Sequence, residues 1–349
     1  MQQPSPSPAV AADITETRAR LTSALASALA PLGPFLEDAR VVEIMLNADG
    51  VVWIDRIGEG MVRTDVRMER VPAEAMLRLV AADVGVQLTA SSPALAAKLP
   101  PPWAARLQAF LPPVVDAPVF ALRKPPRIIF SLPDYLRAGI LTTDQSRALV
   151  GAIHRHENIL IGGSTGSGKT TFANALLRVV ADAGEAERLY IIEDTPELQC
   201  SAPNKLQILV QSGALTWRDA VMAAMRVRPD RIIVGEIRDG SALELLKAWN
   251  TGHPGGLATI HANDTRGTLD RFCQLLEEVV YPAPRALVAQ TIHLCVHITR
   301  DPEHPAGRRV SGVDRVVGLA PDGGWLLESA SPSAPPISAP TLSENQEDP

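Results

Sequence analysis

Eight consecutive residues, Gly163, Ser164, Thr165, Gly166, Ser167, Gly168, Lys169 and Thr170, spell G-x-x-x-x-G-K-T and restrict the fold of this chain more than any other stretch. The string follows the apolar run Asn158 to Ile161 and precedes the helical pattern Phe172 to Val180. In that strand, loop and helix order, glycines let backbone N–H groups close round phosphates, and the helix N-terminus favours the anion. Lys169 can reach the β- and γ-phosphate oxygens, Thr170 can hold magnesium, and Thr171 beside it counts among the nucleotide-binding residues. A flexible glycine turn is the alternative reading, but it does not account for the flanking pattern.

The surrounding pattern extends this into a domain. Leu189 to Ile192, Ile232 to Val234 and Leu257 to Ile260 are further short apolar runs separated by helical segments, as expected of parallel strands buried on both faces. Thr216 with Asp219 and Ser241 with Glu244 have the spacing of capping boxes, and so predict two helix starts. The fold class is therefore α/β, with a mainly parallel sheet over residues 136–328.

At 349 residues the chain has room for a second domain, since domains run to ~100–200 residues. Val41 to Leu46 and Val51 to Asp55, joined through Asn47 to Gly50, predict an antiparallel meander that continues past a turn at Gly58 to Gly60. A helical stretch at Pro72 to Leu88 and short strands near Leu107 and at Val119 to Leu122 complete a smaller α+β N-terminal domain over 14–124. Pro125, Pro126 and Pro133 mark a stiff connector over 125–135. Residues 1–13 and 329–349, rich in proline and serine, are expected to be disordered tails.

Composition narrows the function. With 33 basic and 39 acidic residues the net charge is −6, which advertises no large nucleic-acid surface, and 4% aromatic residues leave few platforms for base stacking. Direct nucleic-acid binding is left open, because a local basic groove is compatible with that balance. Cys200, Cys273 and Cys295 lie too far apart for a C-x-x-C zinc site or a disulfide framework, which predicts no zinc and a reducing compartment. The first 17 residues carry no Lys or Arg, unlike a secretory leader. The uncharged stretch Leu21 to Leu36 is broken by Pro31, Gly33 and Pro34 and is expected to be a core helix rather than a span.

Hydrolysis needs an acid near the γ-phosphate to orient water and help hold the metal. Glu193 and Asp194 follow one strand and Glu236 follows another, at the carboxyl ends where open parallel sheets bind ligands. A solvated loop or cap is the alternative for each. His261 also ends a strand, whereas His253 reads more simply as a satisfied or surface histidine. Arg226, Arg228, Arg231 and Arg238 crowd round Ile232 to Glu236, either as surface ion pairs or as arginines that meet phosphate at a subunit edge.

The strings Ile191 to Leu198 (IIEDTPEL), Arg228 to Glu236 (RPDRIIVGE) and Thr251 to Ala262 (TGHPGGLATIHA) resemble the Asp box, Walker B and His box of the secretion traffic ATPases, in order after the phosphate loop. Leu198 to Cys200, Ala202 to Asn204, Glu43 to Asn47 and Phe120 to Lys124 are most similar to the TrbB-type conjugal-transfer branch of that superfamily. The resemblance implies a RecA-like domain after a separate N-terminal domain and a homo-hexameric ring. It further implies ATP hydrolysis with Mg2+ at the cytoplasmic face of a type IV secretion or conjugation apparatus. Channel components of the inner membrane would be the partners, with peripheral membrane association. By motif, Lys169 and Thr170 take the phosphate and magnesium roles, Glu193 activates water, Glu236 takes the Walker B and metal role, and His261 senses the γ-phosphate. Arg106 and Arg123 resemble N-terminal-domain arginines that contact nucleotide.

Position supports one of these independently, since Arg123 and Lys124 end a strand just before the proline connector, where a hinge rotation could carry them to the phosphate loop. A linker arginine paired with a surface acid is the alternative. For the chain as a whole, the competing functions are a pilus-retraction motor, a nucleic-acid-translocating RecA-like ATPase and a nucleotide-gated scaffold with little turnover.

Overall fold

In the computed structural model, which describes residues 20–330 apart from 127, 185 and 212, the chain divides between Ile128 and Ile129 into two units. The first is built on β1 (Val41–Leu46), β2 (Val51–Arg56), β3 (Gly60–Arg67), β4 (Ala94–Lys98), β5 (Arg106–Phe110) and β6 (Val119–Arg123). These form one antiparallel sheet in the order β3-β2-β1-β6-β5-β4. Alternate residues such as Ile44, Ile54, Leu107 and Leu122 are buried against Met76, Leu77 and Val80 of the helix Arg70–Asp83. That helix is shorter than the expected stretch to Leu88, because Gly85 follows it at φ +71 and turns the chain away. β4 carries no sequence signal, as alanines have little strand preference, and pairing with β5 creates it.

Leu25, Leu29, Leu32 and Leu36 are all buried in the same core, as a core element requires. The expected single helix is broken, however: a 3-10 turn at Ala30–Leu32 and a new helix at Gly33–Glu37 each place a proline in the first turn, where no helical N–H is needed.

The second unit contains β7 (Ile159–Gly163), β8 (Leu189–Glu193), β9 (Lys205–Leu209), β10 (Arg231–Val234), β11 (Leu257–His261), β12 (Leu294–Arg300), β13 (Arg308–Leu319) and β14 (Trp325–Ser329). Their order is β14-β13-β12-β7-β11-β10-β8-β9. β12 through β9 pair in parallel, and β13 and β14 add an antiparallel edge. Both faces are covered. Ile159, Ile161, Leu189 and Ile191 pack with the helices Thr143–His154 and Lys169–Ala183, while Leu160, Tyr190, Ile192 and Ile260 pack with Trp217–Ala224, Ala242–Asn250 and Thr265–Glu277. Burial on two faces is why the strands read as continuous apolar runs.

Of the two expected capping boxes, Thr216 caps its helix by accepting the Asp219 N–H at 3.1 Å. Ser241 does not cap, because its backbone is already helical, and its N–H instead meets Asp239 Oδ1 at 2.9 Å. The connector expected over 125–135 spans the division between the units and includes the start of a short helix, Leu132–Arg137. Of the expected tails, residues 1–13 and 331–349 lie outside the described residues, and β14 runs through Ser329. Deleting residues 331–349 is expected to leave the melting temperature unchanged, because this proline-rich, acidic segment has little apolar surface to add to a core. A drop of several degrees in a thermal melt would show that the segment packs.

Candidate active site

Four neighbouring parallel strands, β7, β11, β10 and β8, end on one edge of the second sheet. Gly163 lies in register with His261, and Val234 with both Ala258 and Ile192. The phosphate loop, His261, Glu236 and Glu193 leave those ends in turn, so the topology gathers residues separated by up to about a hundred positions into one crevice.

Within the loop, Gly166 (φ +70) and Gly168 (φ +102) hold a backbone that an L side chain rarely adopts. Ser164, Thr165 and Gly166 are exposed, whereas Ser167 is fully buried and its Oγ lacks a hydrogen-bond partner. The helix Lys169–Ala183 starts directly after Gly168, and its first i to i−4 bond is Phe172 N–H to Gly168 O at 2.8 Å. The N–H groups of Lys169, Thr170 and Thr171 therefore lie ahead of the helical ladder, at its positive end. Backbone donors at the start of a helix and the unsatisfied Ser167 hydroxyl fit phosphate oxygens. The Thr170 hydroxyl and Glu236 carboxylate are hard oxygen donors of the kind Mg2+ takes.

Lys169 is only 7% exposed. Its Nζ donates to Gly163 O at 2.9 Å and Ser164 O at 3.0 Å, and lies 3.4 Å from His261 Nδ1. His261 Nε2 in turn lies 2.7 Å from Glu236 Oε1. Burial and then the Lys169 ammonium hold the His261 pKa below its usual value, against the pull of Glu236. A neutral ring that accepts from Lys169 and donates to Glu236 satisfies both contacts. Glu236 Oε2 is also 2.5 Å from the Arg238 guanidinium, which reaches Asp194 as well.

Glu193 is 3% exposed, and its Oε1 accepts the N–H groups of Glu197 (2.9 Å) and Leu198 (2.7 Å). Burial raises its pKa to about 7, beyond what those two hydrogen bonds recover. Gly235 explains the close fit, since a Cβ there would lie 3.0 Å from Glu193 Cγ.

Several supports were not evident in the sequence. Asn174, buried in the loop's helix, donates to Glu197 O at 3.0 Å and accepts the Gln199 N–H at 2.8 Å, which ties the segment after Glu193 to the phosphate-loop helix. Arg300 Nε donates to Gly166 O at 3.1 Å and Arg308 Nη1 to Ser167 O at 3.4 Å. The Pro- and Gly-bearing turn between these two arginines, flanked by apolar alternation, was the available signal for their hairpin.

Arg231 is not at an edge: it is 1% exposed and bonds Glu187, Ile153 O and Gly255 O, while Arg226 and Arg228 are exposed. His253 is satisfied by Pro229 O at 2.7 Å. In the first unit Arg106 and Arg123 are exposed cross-strand partners on β5 and β6. Lys124, expected to move with Arg123, is instead buried, and its Nζ binds Phe35 O (2.8 Å) and Asp38 O (2.6 Å).

Residues 26–311 match the family described as Type II/IV secretion system protein. The chain is 40% identical over 294 residues to the "Probable conjugal transfer protein TrbB" of Sinorhizobium fredii, covering 84% of this chain and 88% of that protein. It is 28% identical over 290 residues to the "Type IV secretion system protein VirB11" of Bartonella henselae, covering 72% and 80%. Among solved structures, the Yersinia pseudotuberculosis ATPase DotB shares the fold, with a TM-score of 0.58 and 17% identity over 83% of this chain and 75% of that one.

Proposed function

This chain belongs to the Type II/IV secretion system protein family, and from that premise we propose that it is the ATP-hydrolysing motor of a type IV secretion or conjugal DNA-transfer apparatus. The observation that carries the reading is the gathering of Lys169, His261, Glu236 and Glu193 at adjacent strand ends beside the phosphate loop. In this proposal the loop N–H groups from Ser164 to Thr171 bind the polyphosphate, and Lys169 turns from the Gly163 and Ser164 carbonyls onto the β- and γ-oxygens. Thr170 and Glu236 would hold Mg2+, which supplies charge neutralisation at the phosphates. Glu193, with its pKa near neutrality, orients the attacking water and accepts its proton. His261 links Lys169 to Glu236 and so reports on the γ-phosphate that Lys169 contacts.

No described helix is long and apolar enough to cross a membrane. We place the motor as a homo-hexamer at the cytoplasmic face of the inner membrane, peripheral to the channel it drives. ATP hydrolysis by the purified protein, measured as multiple-turnover phosphate release, tests the activity. Release at no more than one phosphate per chain would leave a nucleotide-gated scaffold, and steep, salt-dependent stimulation by nucleic acid would favour a nucleic-acid translocase.

The same proposal gives Arg123 and Arg106 a nucleotide-contacting role. Arg123→Ala is then expected to weaken ATP binding about tenfold while ADP binding holds, because the guanidinium meets the additional γ-phosphate charge. Dissociation constants for the two nucleotides at one salt concentration decide this. An unchanged ATP-to-ADP ratio removes Arg123 from γ-phosphate sensing.

A further inference from the structure

Arg300 and Arg308 stand directly opposite each other where β12 and β13 meet their connecting turn. Like charges in a cross-strand pair repel, so the pairing needs a compensating partner. Asp301 in the turn does not serve, since its Oδ2 is engaged by Arg309 at 2.8 Å. The compensation comes from the phosphate loop, whose Gly166 and Ser167 carbonyls accept from Arg300 (3.1 Å) and Arg308 (3.4 Å). The approach is close enough that a Cβ on Gly168 would lie 2.5 Å from Arg308 Nη1.

We infer that Arg300 and Arg308 are positioning residues for nucleotide binding, which set the phosphate loop's conformation and strengthen its N–H donors through the carbonyls of the same peptide units. This rests on the nucleotide reading of the site. The Gly166 carbonyl shares its peptide unit with the Ser167 N–H, which closes the loop's turn onto Ser164 O at 3.3 Å. The Ser167 carbonyl shares its unit with the Gly168 N–H, just ahead of the helix that starts at Lys169. A cation on a carbonyl oxygen polarises the amide and makes its N–H a stronger donor to an anion. The two guanidiniums also add positive potential behind the loop, where β12 runs beside β7. Neither arginine needs to touch the nucleotide, so their effect falls on the phosphates shared by ATP and ADP. That separates them from a γ-phosphate contact.

The test is nucleotide affinity in Arg300→Gln, Arg308→Gln, the double variant and the matching lysine variants, with thermal melts of each. Glutamine keeps an N–H donor and removes the charge, whereas lysine keeps the charge. The double glutamine variant is expected to bind ATP and ADP about tenfold more weakly with their ratio unchanged, and to raise KM for ATP more than it lowers kcat. The double lysine variant should recover most of that affinity, and both doubles should melt close to wild type. ADP affinity within twofold of wild type in the double glutamine variant overturns the inference. So does equal behaviour of the lysine and glutamine variants, or a loss seen only in variants that melt several degrees lower. A changed ATP-to-ADP ratio would instead make these arginines direct γ-phosphate contacts, against the inference. If wild-type protein binds neither nucleotide, the reading of the site itself fails, an outcome distinct from equal binding by wild type and variants.

Discussion

Lys169→Ala is expected to abolish ATP turnover, with a loss on the order of 10²–10³-fold or more, because it removes the loop's only cationic side chain from where charge develops on the transferred phosphoryl group. The sequence places this lysine in a solvent-facing loop, which would make the substitution structurally silent. The structure corrects that. Lys169 is 7% exposed, and its ammonium bridges the Gly163 and Ser164 carbonyls beside His261. The alanine variant thus also loses a brace of the loop, and a modest fall in melting temperature accompanies the loss of activity. The His261 pKa should rise at the same time, because a nearby positive charge that lowers it is gone. Steady-state phosphate release, the thermal melt and an NMR titration of the histidines check these together. Activity within twofold of wild type would remove Lys169 from the chemistry.

Glu193→Gln is expected to leave ATP binding intact and slow the single-turnover chemical step by about 10²–10⁴-fold, the range associated with loss of a positioned base. Glu236→Gln should also bind ATP and hydrolyse it slowly, through weakened metal affinity and a changed partner for His261. The pH behaviour separates the two. In the folded protein the Glu193 pKa is raised from 4.5 to about 7, so wild-type single-turnover hydrolysis should climb as pH passes through about 7 and the carboxylate forms. The glutamine variant should lack that inflection.

Stability moves in the opposite direction. A carboxyl whose folded pKa lies above its unfolded value contributes stability that is complete below about pH 4.5 and is lost as pH rises to about 7. Relative to wild type, Glu193→Gln should gain stability across that window, with a limiting slope of about 1.4 kcal/mol per pH unit. Denaturant unfolding of both proteins at pH 5 and pH 8 measures it. A normal chemical step in Glu193→Gln would return the water-activating role to Glu236.

The strands and helices around the phosphate loop were legible because their signals are local. The apolar runs of β7, β8, β10 and β11 reflect burial on two faces, and G-x-x-x-x-G-K-T fixes the order strand, loop, helix. The acids and His261 were legible as strand-end residues for the same reason. The antiparallel edge of β13 and β14 was not read, although each joins its chain neighbour across a short turn, and neither was β4, whose alanines have little strand preference until it pairs with β5. Ser241 shows the reverse error, a local pattern with the right spacing whose backbone is already helical at the cap.

What the residues determined alone was therefore chemistry: a loop able to hold phosphate, acids at strand ends, and a family resemblance carried by four ordered motifs. The tertiary structure decided which charges are at work and which are structural. It buries Lys124 under the Phe35 and Asp38 carbonyls and Arg231 against Glu187, and it brings Arg300 and Arg308 onto the phosphate loop from more than a hundred residues away. It also sets the Glu193 pKa, through burial that no spacing of residues encodes. The physical reason is range. Helix, strand and loop preferences act over a few residues, whereas desolvation and charge pairing depend on everything the fold packs around a group.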